Sequence, residues 1–165
     1  MRNLLSLIAA LALGGCGLHP LYGGGAGGSV AVAMRSIAVA PIQGKAGWLV
    51  RNKLIDRFGA DSSGRAAYRL DVILDDNITA FGLSSNQAAT RERRTLRARY
   101  QMVDASNGMV VLDATAGADA GIDIVSSEYA TVAAEQTALE NLSEIVADQI
   151  AARVALYESR AAQPK

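Results

Sequence analysis

The position of a single cysteine most constrains what this chain can fold into. Cys16 is the only cysteine among 165 residues, and it directly follows an apolar run over residues 4–13 that Arg2 precedes. A short basic start, an apolar run and small residues before a cleavage point are the layout of an export signal, which is too short to span a bilayer as a helix. Exported domains often gain stability from disulfides. None can form within this chain, so the fold has to be held together by packing.

The residues around Cys16 predict lipid attachment. Gly14-Gly15-Cys16 resembles a bacterial lipobox, and an ordinary signal peptide with an unrelated cysteine is the alternative. We expect residues 1–15 to be a lipoprotein signal peptide and Cys16 to carry an N-acyl diacylglycerol group. Each buried CH₂ contributes about 0.8 kcal/mol, and stable anchoring takes two chains or an equivalent second signal. The glycine-rich residues that follow, within 16–34, are expected to form a flexible tether.

Size and charge narrow the class of protein. Removal of residues 1–15 leaves 150 of the 165 residues, which is enough for one domain with a substantial core. The chain has 16 basic and 16 acidic residues, so the mature protein is close to neutral. Nucleic-acid-binding domains usually carry a strong basic excess, and we therefore expect no nucleic-acid partner. No later apolar stretch approaches the roughly 20 residues of a membrane-spanning helix.

Hydrophobic periodicity predicts a single α+β domain over residues 35–160, followed by a disordered tail over 161–165. The expected order is β-α-β-β-β-α, a two-layer sandwich with about four mostly antiparallel strands and two helices packed on one face. Asn107-Gly108 marks a hairpin turn, because both residues accept a positive φ. The end of the fourth strand stays open between residues 115 and 125. Trp48 is expected to be half-buried at the start of the first helix.

The long last helix should begin at a capping serine, Ser126 or Ser127, and run to about residue 158. Apolar residues recur along it at helical spacing and predict one face that packs on the sheet. That predicted stripe consists of Val132, Leu139, Leu142, Ile145, Val146, Ile150 and Val154.

A row of arginines along the third strand is the candidate binding surface. Alternate residues of a strand share a face, and guanidinium groups suit phosphate, so the row could bind phosphorylated sugars. Arg94 points to the other face, near the start of the strand, where we expect the sheet to be uncovered. The candidate binding residues are Arg91, Arg93, Arg94, Arg97 and Arg99.

Cross-strand ion pairs are the competing explanation for this row. In a hairpin centred near residue 85, Asp71 lies opposite Arg99 and Asp75 lies diagonal to Arg97. Arg91 and Arg93 have no nearby acid in that register, and they are therefore the stronger candidates for binding a ligand or partner.

No catalytic or metal site is expected. His19 is the sole histidine and lies in the predicted tether, and Asp75-Asp76 point to opposite faces of a strand. The protein is therefore expected not to be an enzyme and to need no cofactor. A carboxylate pair assembled across strands, as in an exported hydrolase, stays a remote alternative.

Several short motifs resemble lipopolysaccharide-assembly lipoproteins of the LptE type, particularly those of alphaproteobacteria. The most specific is Cys-Gly-Leu-His-Pro-Leu-Tyr-Gly over residues 16–23. The likeness continues through Arg-Asn-Lys-Leu over 51–54, Thr90-Arg91, Ala-Arg-Tyr over 98–100 and much of residues 129–150.

The resemblance implies a lipoprotein anchored by its acyl chains in the outer-membrane lipid and facing the periplasm. Such proteins sit in the lumen of a large LptD-like β-barrel, help it assemble, bind lipopolysaccharide and plug the pore through which it crosses. Gly17, where an Asp would retain a lipoprotein in the inner membrane, agrees with outer-membrane sorting by resemblance. The alternative is a free lipid-anchored periplasmic module that binds another envelope ligand or partner.

Overall fold

The structure is a computed structural model that describes residues 28–59, 66–83, 89–125 and 127–162. The signal peptide, Cys16, His19, the first part of the tether and the end of the tail lie outside the described residues. The elements, in chain order, are α1 Ser29–Arg35, β1 Ile37–Val39, α2 Gly44–Phe58, β2 Tyr68–Leu83, β3 Ala89–Asp104, β4 Val110–Asp123 and α3 Glu128–Ala161.

The four strands form one mixed sheet in the order β1-β2-β3-β4. Short β1 runs parallel to β2 through the α2 crossover, whereas β2, β3 and β4 are joined antiparallel as successive hairpins. The helices cover one face of this sheet, and the α+β sandwich predicted from periodicity is confirmed. β4 ends at Asp123, and Gly108 has the positive φ of 73° that the β3–β4 turn requires.

One feature of the domain was not predicted. Six of the seven residues of helix α1 lie within the segment assigned to the tether, and the helix ends at Arg35, where the domain was expected to begin. Met34 on this helix is buried in the core, and Ser36 O accepts hydrogen bonds from the backbone N–H groups of Ala67 and Tyr68. The folded part therefore includes α1, and the described residues contain three helices.

The core lies between α3 and the helix-facing residues of the sheet. Leu96, Tyr100 and Met102 alternate along β3 and are fully buried, as are Leu142 and Val146 of α3. A helix of 34 residues is about 51 Å long at 1.5 Å per residue, and a strand of 16 residues is about as long. The length of α3 therefore matches that of the central strands. None of the helices that the structure describes has the length and hydropathy of a membrane-spanning segment.

Helices α2 and α3 run parallel and side by side. Lys45 bonds to Gln136, Lys53 Nζ lies 3.4 Å from Glu144 Oε2, and Arg57 Nε lies 2.6 Å from Asp148 Oδ1. Each of these pairs joins residues that are 91 positions apart. A constant offset requires that both helices rise in the same direction, so the three pairs set their register.

This register explains two departures from the predicted core. Val132 was expected in the apolar stripe and is exposed, because α2 begins at Gly44, which the offset places beside Glu135. Val132 precedes that point and has no α2 residue beside it. Ile145 is exposed as well, since the buried stripe follows Leu142 and Val146 and leaves it on the solvent side.

Trp48 is also more exposed than expected. It was predicted to be half-buried, but 64% of it is accessible. Ala46, Gly47 and Val50 occupy the inner side of α2, and a Cβ on Gly47 would lie 2.6 Å from the carbonyl oxygen of Ile42. The close approach of that turn directs Trp48 outward.

The pairing of β2 with β3 differs from the predicted register by two residues. Asp71 lies opposite Gln101, Ile73 opposite Arg99 and Asp75 opposite Arg97. A shift of two residues keeps every side chain on its predicted face. It changes the charged neighbours, so that Asp75 and not Asp71 faces an arginine across the hairpin.

We predict that truncation of the α3 stripe destabilises the domain in proportion to burial. Leu142→Ala should lower the free energy of unfolding by about 2–5 kcal/mol, because it leaves a cavity in a filled core. Ile145→Ala, one turn further along, should cost less than about 1 kcal/mol. Urea denaturation followed by circular dichroism measures both, and equal losses would contradict the observed stripe.

The open sheet face as candidate binding surface

The face of the sheet that the helices leave uncovered carries the predicted arginines. Arg91, Arg93, Arg97 and Arg99 alternate with the buried residues of β3 and are exposed. The strand places them on one side because its helix-facing positions are all apolar from Leu96 to Met102. The structure therefore brings these four side chains to a common surface, which we call the open face.

Aspartates of β4 pair with three of these arginines. Arg91 Nε lies 2.8 Å from Asp123 Oδ1, and Arg99 Nη2 lies 3.0 Å from Asp113 Oδ2. Arg97 Nη2 donates to both carboxylate oxygens of Asp119, at 3.0 and 2.9 Å. The partners of Arg97 and Arg99 were expected on β2 and lie on β4 instead. Arg91 was expected to have no nearby acid, and this was wrong, because the β3–β4 register brings Asp123 directly opposite it.

The aspartates of β4 are the residues that sequence reasoning missed. Asp113, Asp119 and Asp123 are all odd-numbered, and this common parity was the available signal. This shared parity predicts ion pairs only when the β3–β4 register is known, because that register places Asp119 opposite Thr95 and Asp113 opposite Gln101, each beside an arginine of β3.

Gly117 allows Arg97 to reach its partner. It lies opposite Arg97 on β4, and a Cβ there would come within 2.5 Å of Arg97 Cδ. The arginine crosses the bare backbone, donates to Ala118 O at 3.0 Å and turns toward Asp119. Asp75, directly opposite Arg97 on the other strand, consequently forms no ion pair within the described residues.

The ion pairs lower the pKa values of two β4 carboxyl groups, those of Asp113 and Asp119. Hydrogen bonds from the Arg97 guanidinium and then from the Thr95 hydroxyl hold the pKa of Asp119 below its ordinary 3.8. Bonds from Arg99 and then from Gln101 lower the pKa of Asp113 in the same way. Both carboxylates stay charged in mildly acidic solution, so positive and negative side chains alternate across the open face.

Arg93 differs from its neighbours on the open face. It forms no ion pair within the described ranges, and it lies opposite Gly121, which offers no side chain. Its guanidinium carbon sits 5.4 Å from the centre of the Phe81 ring, a cation–π distance. Arg93 and Phe81 thus form a site where a cation and an exposed aromatic ring are both accessible.

Arg94 lies on the opposite side of the sheet and has a structural role. It was included among the candidate binding residues on the expectation that its surroundings were uncovered, yet only 12% of its side chain is accessible. Its Nε and Nη2 bond to Asp76 at 2.8 and 2.6 Å, and its Nη1 donates to the carbonyl oxygen of Glu135 at 2.9 Å. Arg94 therefore connects β3 with β2 and α3.

A shallow cavity runs along the middle of the open face. Its volume is about 580 Å³, and its lining includes Ile73, Asp75, Arg97, Arg99 and Thr115. Ile73 is 74% exposed, so the cavity combines an apolar wall with charged margins. A smaller cavity of about 150 Å³ adjoins it beside Gln101. Within the described ranges, no three His, Cys, Asp or Glu side chains lie close enough to hold a metal ion.

The ion pairs predict a pH-dependent contribution to stability. Because both carboxyl pKa values are lowered by folding, their stabilisation is present above about pH 3.8 and is lost as the pH falls through the folded-state values. We expect Arg97→Gln to raise the pKa of Asp119 toward 3.8 and to leave that of Asp113 unchanged. Carboxyl ¹³C shifts, measured by NMR across an acid titration, test this, and an unmoved Asp119 would contradict the assignment.

Solved structures of other proteins are similar to this fold. Solved structures share the fold, as shown by a candidate lipoprotein of Caulobacter crescentus CB15 with a TM-score of 0.68, 24% identity and coverage of 84% of this chain and 100% of the other. Rare lipoprotein B of Shewanella oneidensis gives a TM-score of 0.61 at 10% identity, covering 77% and 98% of the two chains. Lipoprotein B of Nitrosomonas europaea, described as uncharacterized, gives 0.56 at 14% identity, with 75% and 88% covered.

Sequence comparison identifies the family. No curated protein matches the chain at a significant level. The sequence profile of the family described as "LptE: Lipopolysaccharide-assembly" matches residues 34–154, which span β1 through most of α3. This chain therefore belongs to the LptE lipopolysaccharide-assembly family.

Proposed function

We propose that this protein is a non-enzymatic lipoprotein of the outer membrane that acts in lipopolysaccharide assembly. In this proposal Cys16 carries the acyl anchor, and the folded domain occupies the lumen of a large LptD-like β-barrel. There it helps the barrel to assemble, plugs the pore and binds lipopolysaccharide on its way to the outer leaflet. Membership of the LptE family supports the role in lipopolysaccharide assembly. The residues of the open face support the binding step.

The observation that carries the binding step is the Arg93–Phe81 site. A guanidinium group donates in a fixed fork that matches phosphate oxygens, and an aromatic ring gives an apolar surface beside it. Lipopolysaccharide presents phosphorylated sugars next to acyl chains, so one site of this kind can contact both parts. Within the described residues, Arg93 is the arginine of the open face that forms no ion pair; the charge of Asp119 is near enough to act on it but makes no direct contact.

The remaining arginines are less suited to bind phosphate. Arg97 and Arg99 each donate two hydrogen bonds to an aspartate, which a phosphate would have to displace while lying close to the same negative charge. The Arg91–Asp123 pair has a single bond and is exposed on both sides, and exposed pairs contribute only about 0–1 kcal/mol. Arg91 can therefore exchange its partner and assist Arg93.

We predict that reversal of charge at Arg93 lowers lipopolysaccharide binding. Arg93→Glu should reduce the amount that copurifies with the acylated protein by at least about tenfold, because a charge-assisted hydrogen bond contributes roughly 1.5–3 kcal/mol. Arg91→Glu combined with Arg93→Glu should reduce it further. Binding is measured by quantifying lipopolysaccharide in the purified protein.

Arg69→Glu is the matched control for this experiment. Arg69 has the same charge and lies in the part of β2 that pairs with β1, far along the strand from Phe81. We expect its substitution to leave lipopolysaccharide binding unchanged, and circular dichroism should be the same for all variants. Equal binding by the Arg93 and Arg69 variants would reject the Arg93–Phe81 site without affecting the family role.

The anchoring and partner steps have their own test. Cys16→Ser should lose the acyl mass and should release the protein from outer membranes, since the thiol is the proposed point of acylation. The unaltered protein should copurify with a large barrel from detergent extracts and should depend on it for protease resistance. Protease resistance without any barrel would favour a free lipid-anchored module instead.

A further inference from the structure

Among the described residues, no strand lies beside the outer edge of β2 over most of its length. β1 pairs with β2 only between Tyr68 and Leu70, whereas β2 continues to Leu83. Leu70 O accepts a hydrogen bond from Ala40 N at 3.0 Å and therefore points away from β3. The N–H and C=O of one strand residue point to the same side, and the sides alternate along the strand.

By the same alternation, the backbone N–H and C=O groups of five further residues point away from β3. No described strand lies beyond β2 at these positions, so their backbone groups form an unpaired row. The outward-pointing residues are Val72, Leu74, Asp76, Ile78 and Ala80.

The other edge of the sheet is protected at its centre. Gly117 N donates to Gln149 Oε1 at 3.0 Å, and Gln149 Nε2 donates to Gly117 O at 3.2 Å. The side-chain amide of α3 thus makes both bonds that a neighbouring strand would make to this residue. A strand added to β4 would have to displace Gln149, whereas no side chain of the described residues bonds to the backbone of the β2 edge in this way.

The side chains along the free edge define the chemistry of a complementary strand. On the helix-facing side Leu74 is half-buried and Ile78 is 39% exposed, and the carboxylate of Asp76 between them is held by Arg94. The side chains that this side offers to an added strand are therefore the apolar Leu74 and Ile78. On the open face Asp75 has no ion pair within the described residues, because Arg97 turns to Asp119. Of the three aspartates in residues 71–83, Asp71 pairs with Arg69 and Asp76 pairs with Arg94, so Asp75 supplies the unpaired negative charge.

We propose that the edge of β2 between Val72 and Ala80 binds an extended strand of a partner protein that is apolar on one side and basic on the other. Its apolar side would lie beside Leu74 and Ile78, and its basic side beside Asp75. Backbone hydrogen bonds supply affinity in such strand addition, and the side chains set the register. The interaction does not rest on lipopolysaccharide binding by Arg93.

A second copy of this chain is a poorer occupant. Two β2 edges paired antiparallel about Asp75 would place the two unpaired Asp75 carboxylates opposite each other, and like charges on facing strands are destabilising. An unpaired edge that carries acidic residues is also protected against self-association. Charge thus favours a basic strand over self-pairing.

Hydrogen exchange of the full acylated protein in detergent micelles tests the proposal. The probe is a nine-residue peptide of alternating valine and lysine with blocked ends, and the control peptide replaces each lysine with glutamate. The lysine peptide should slow exchange of the five outward amides of β2, and the glutamate peptide should not. Protection at Thr115 or other outward amides of β4, equal protection by both peptides, or dimerisation without peptide binding would overturn the proposal.

Paired proline variants locate the site on one edge. Ile78→Pro removes an outward N–H and places a ring where the added strand would lie, and proline is tolerated on edge strands. Thr115→Pro makes the same change on the outward side of β4. We expect the first variant to abolish binding of the lysine peptide and the second to retain it; the reverse pattern would overturn the assignment.

A charge variant keeps the test valid if Ile78→Pro fails to fold. Asp75→Lys leaves every backbone donor in place and reverses the charge beside the edge. It should weaken binding of the lysine peptide by about fivefold and strengthen binding of the glutamate peptide, as expected for a cross-strand charge pair. Unchanged affinity for both peptides would show that Asp75 does not face the bound strand.

Discussion

The rest of the structure depends on one constraint, the burial of every second side chain of the central strands against α3. Leu96, Tyr100 and Met102 meet Leu142 and Val146 in a core that excludes water almost completely. Each fully buried side chain of this size contributes roughly 1.5–3 kcal/mol. With a single cysteine in the chain, no intrachain disulfide supplements this burial. The same packing commits the alternate residues of β3 to the other side, which creates the open face.

The open face is balanced in charge, and this balance limits what it can bind. Arg97 and Arg99 are held by aspartates of β4, and Gly117 provides the space that lets Arg97 cross the strand. Arg93, opposite a second glycine, stays available beside Phe81. Of the four arginines of the open face, Arg93, assisted by Arg91, is the one left accessible to a ligand. Because Arg97 turns to Asp119, Asp75 has no ion pair within the described residues and lies beside the free edge of β2.

Predictions from local patterns were reliable where one short-range rule decides the outcome. The parity of Arg91–Arg99 follows from the strand period, and the turn at Gly108 follows from its positive φ. Predictions that depended on the relation between distant segments did less well. Arg94 was expected near an uncovered part of the sheet, but α3 reaches it through the carbonyl of Glu135. Trp48 projects outward because Gly47 turns that helix face toward Ile42.

The amino-acid sequence by itself determined the α+β class, the helix-facing side of each strand and the family, because periodicity and short motifs are local properties. The tertiary structure alone decided which carboxylates neutralise which arginines, since pairing follows from strand register and from side-chain space. It also decided that Gln149 protects one sheet edge and that β1 is too short to cover the other. Such contacts join residues far apart in the chain, and no local pattern encodes the distances between them.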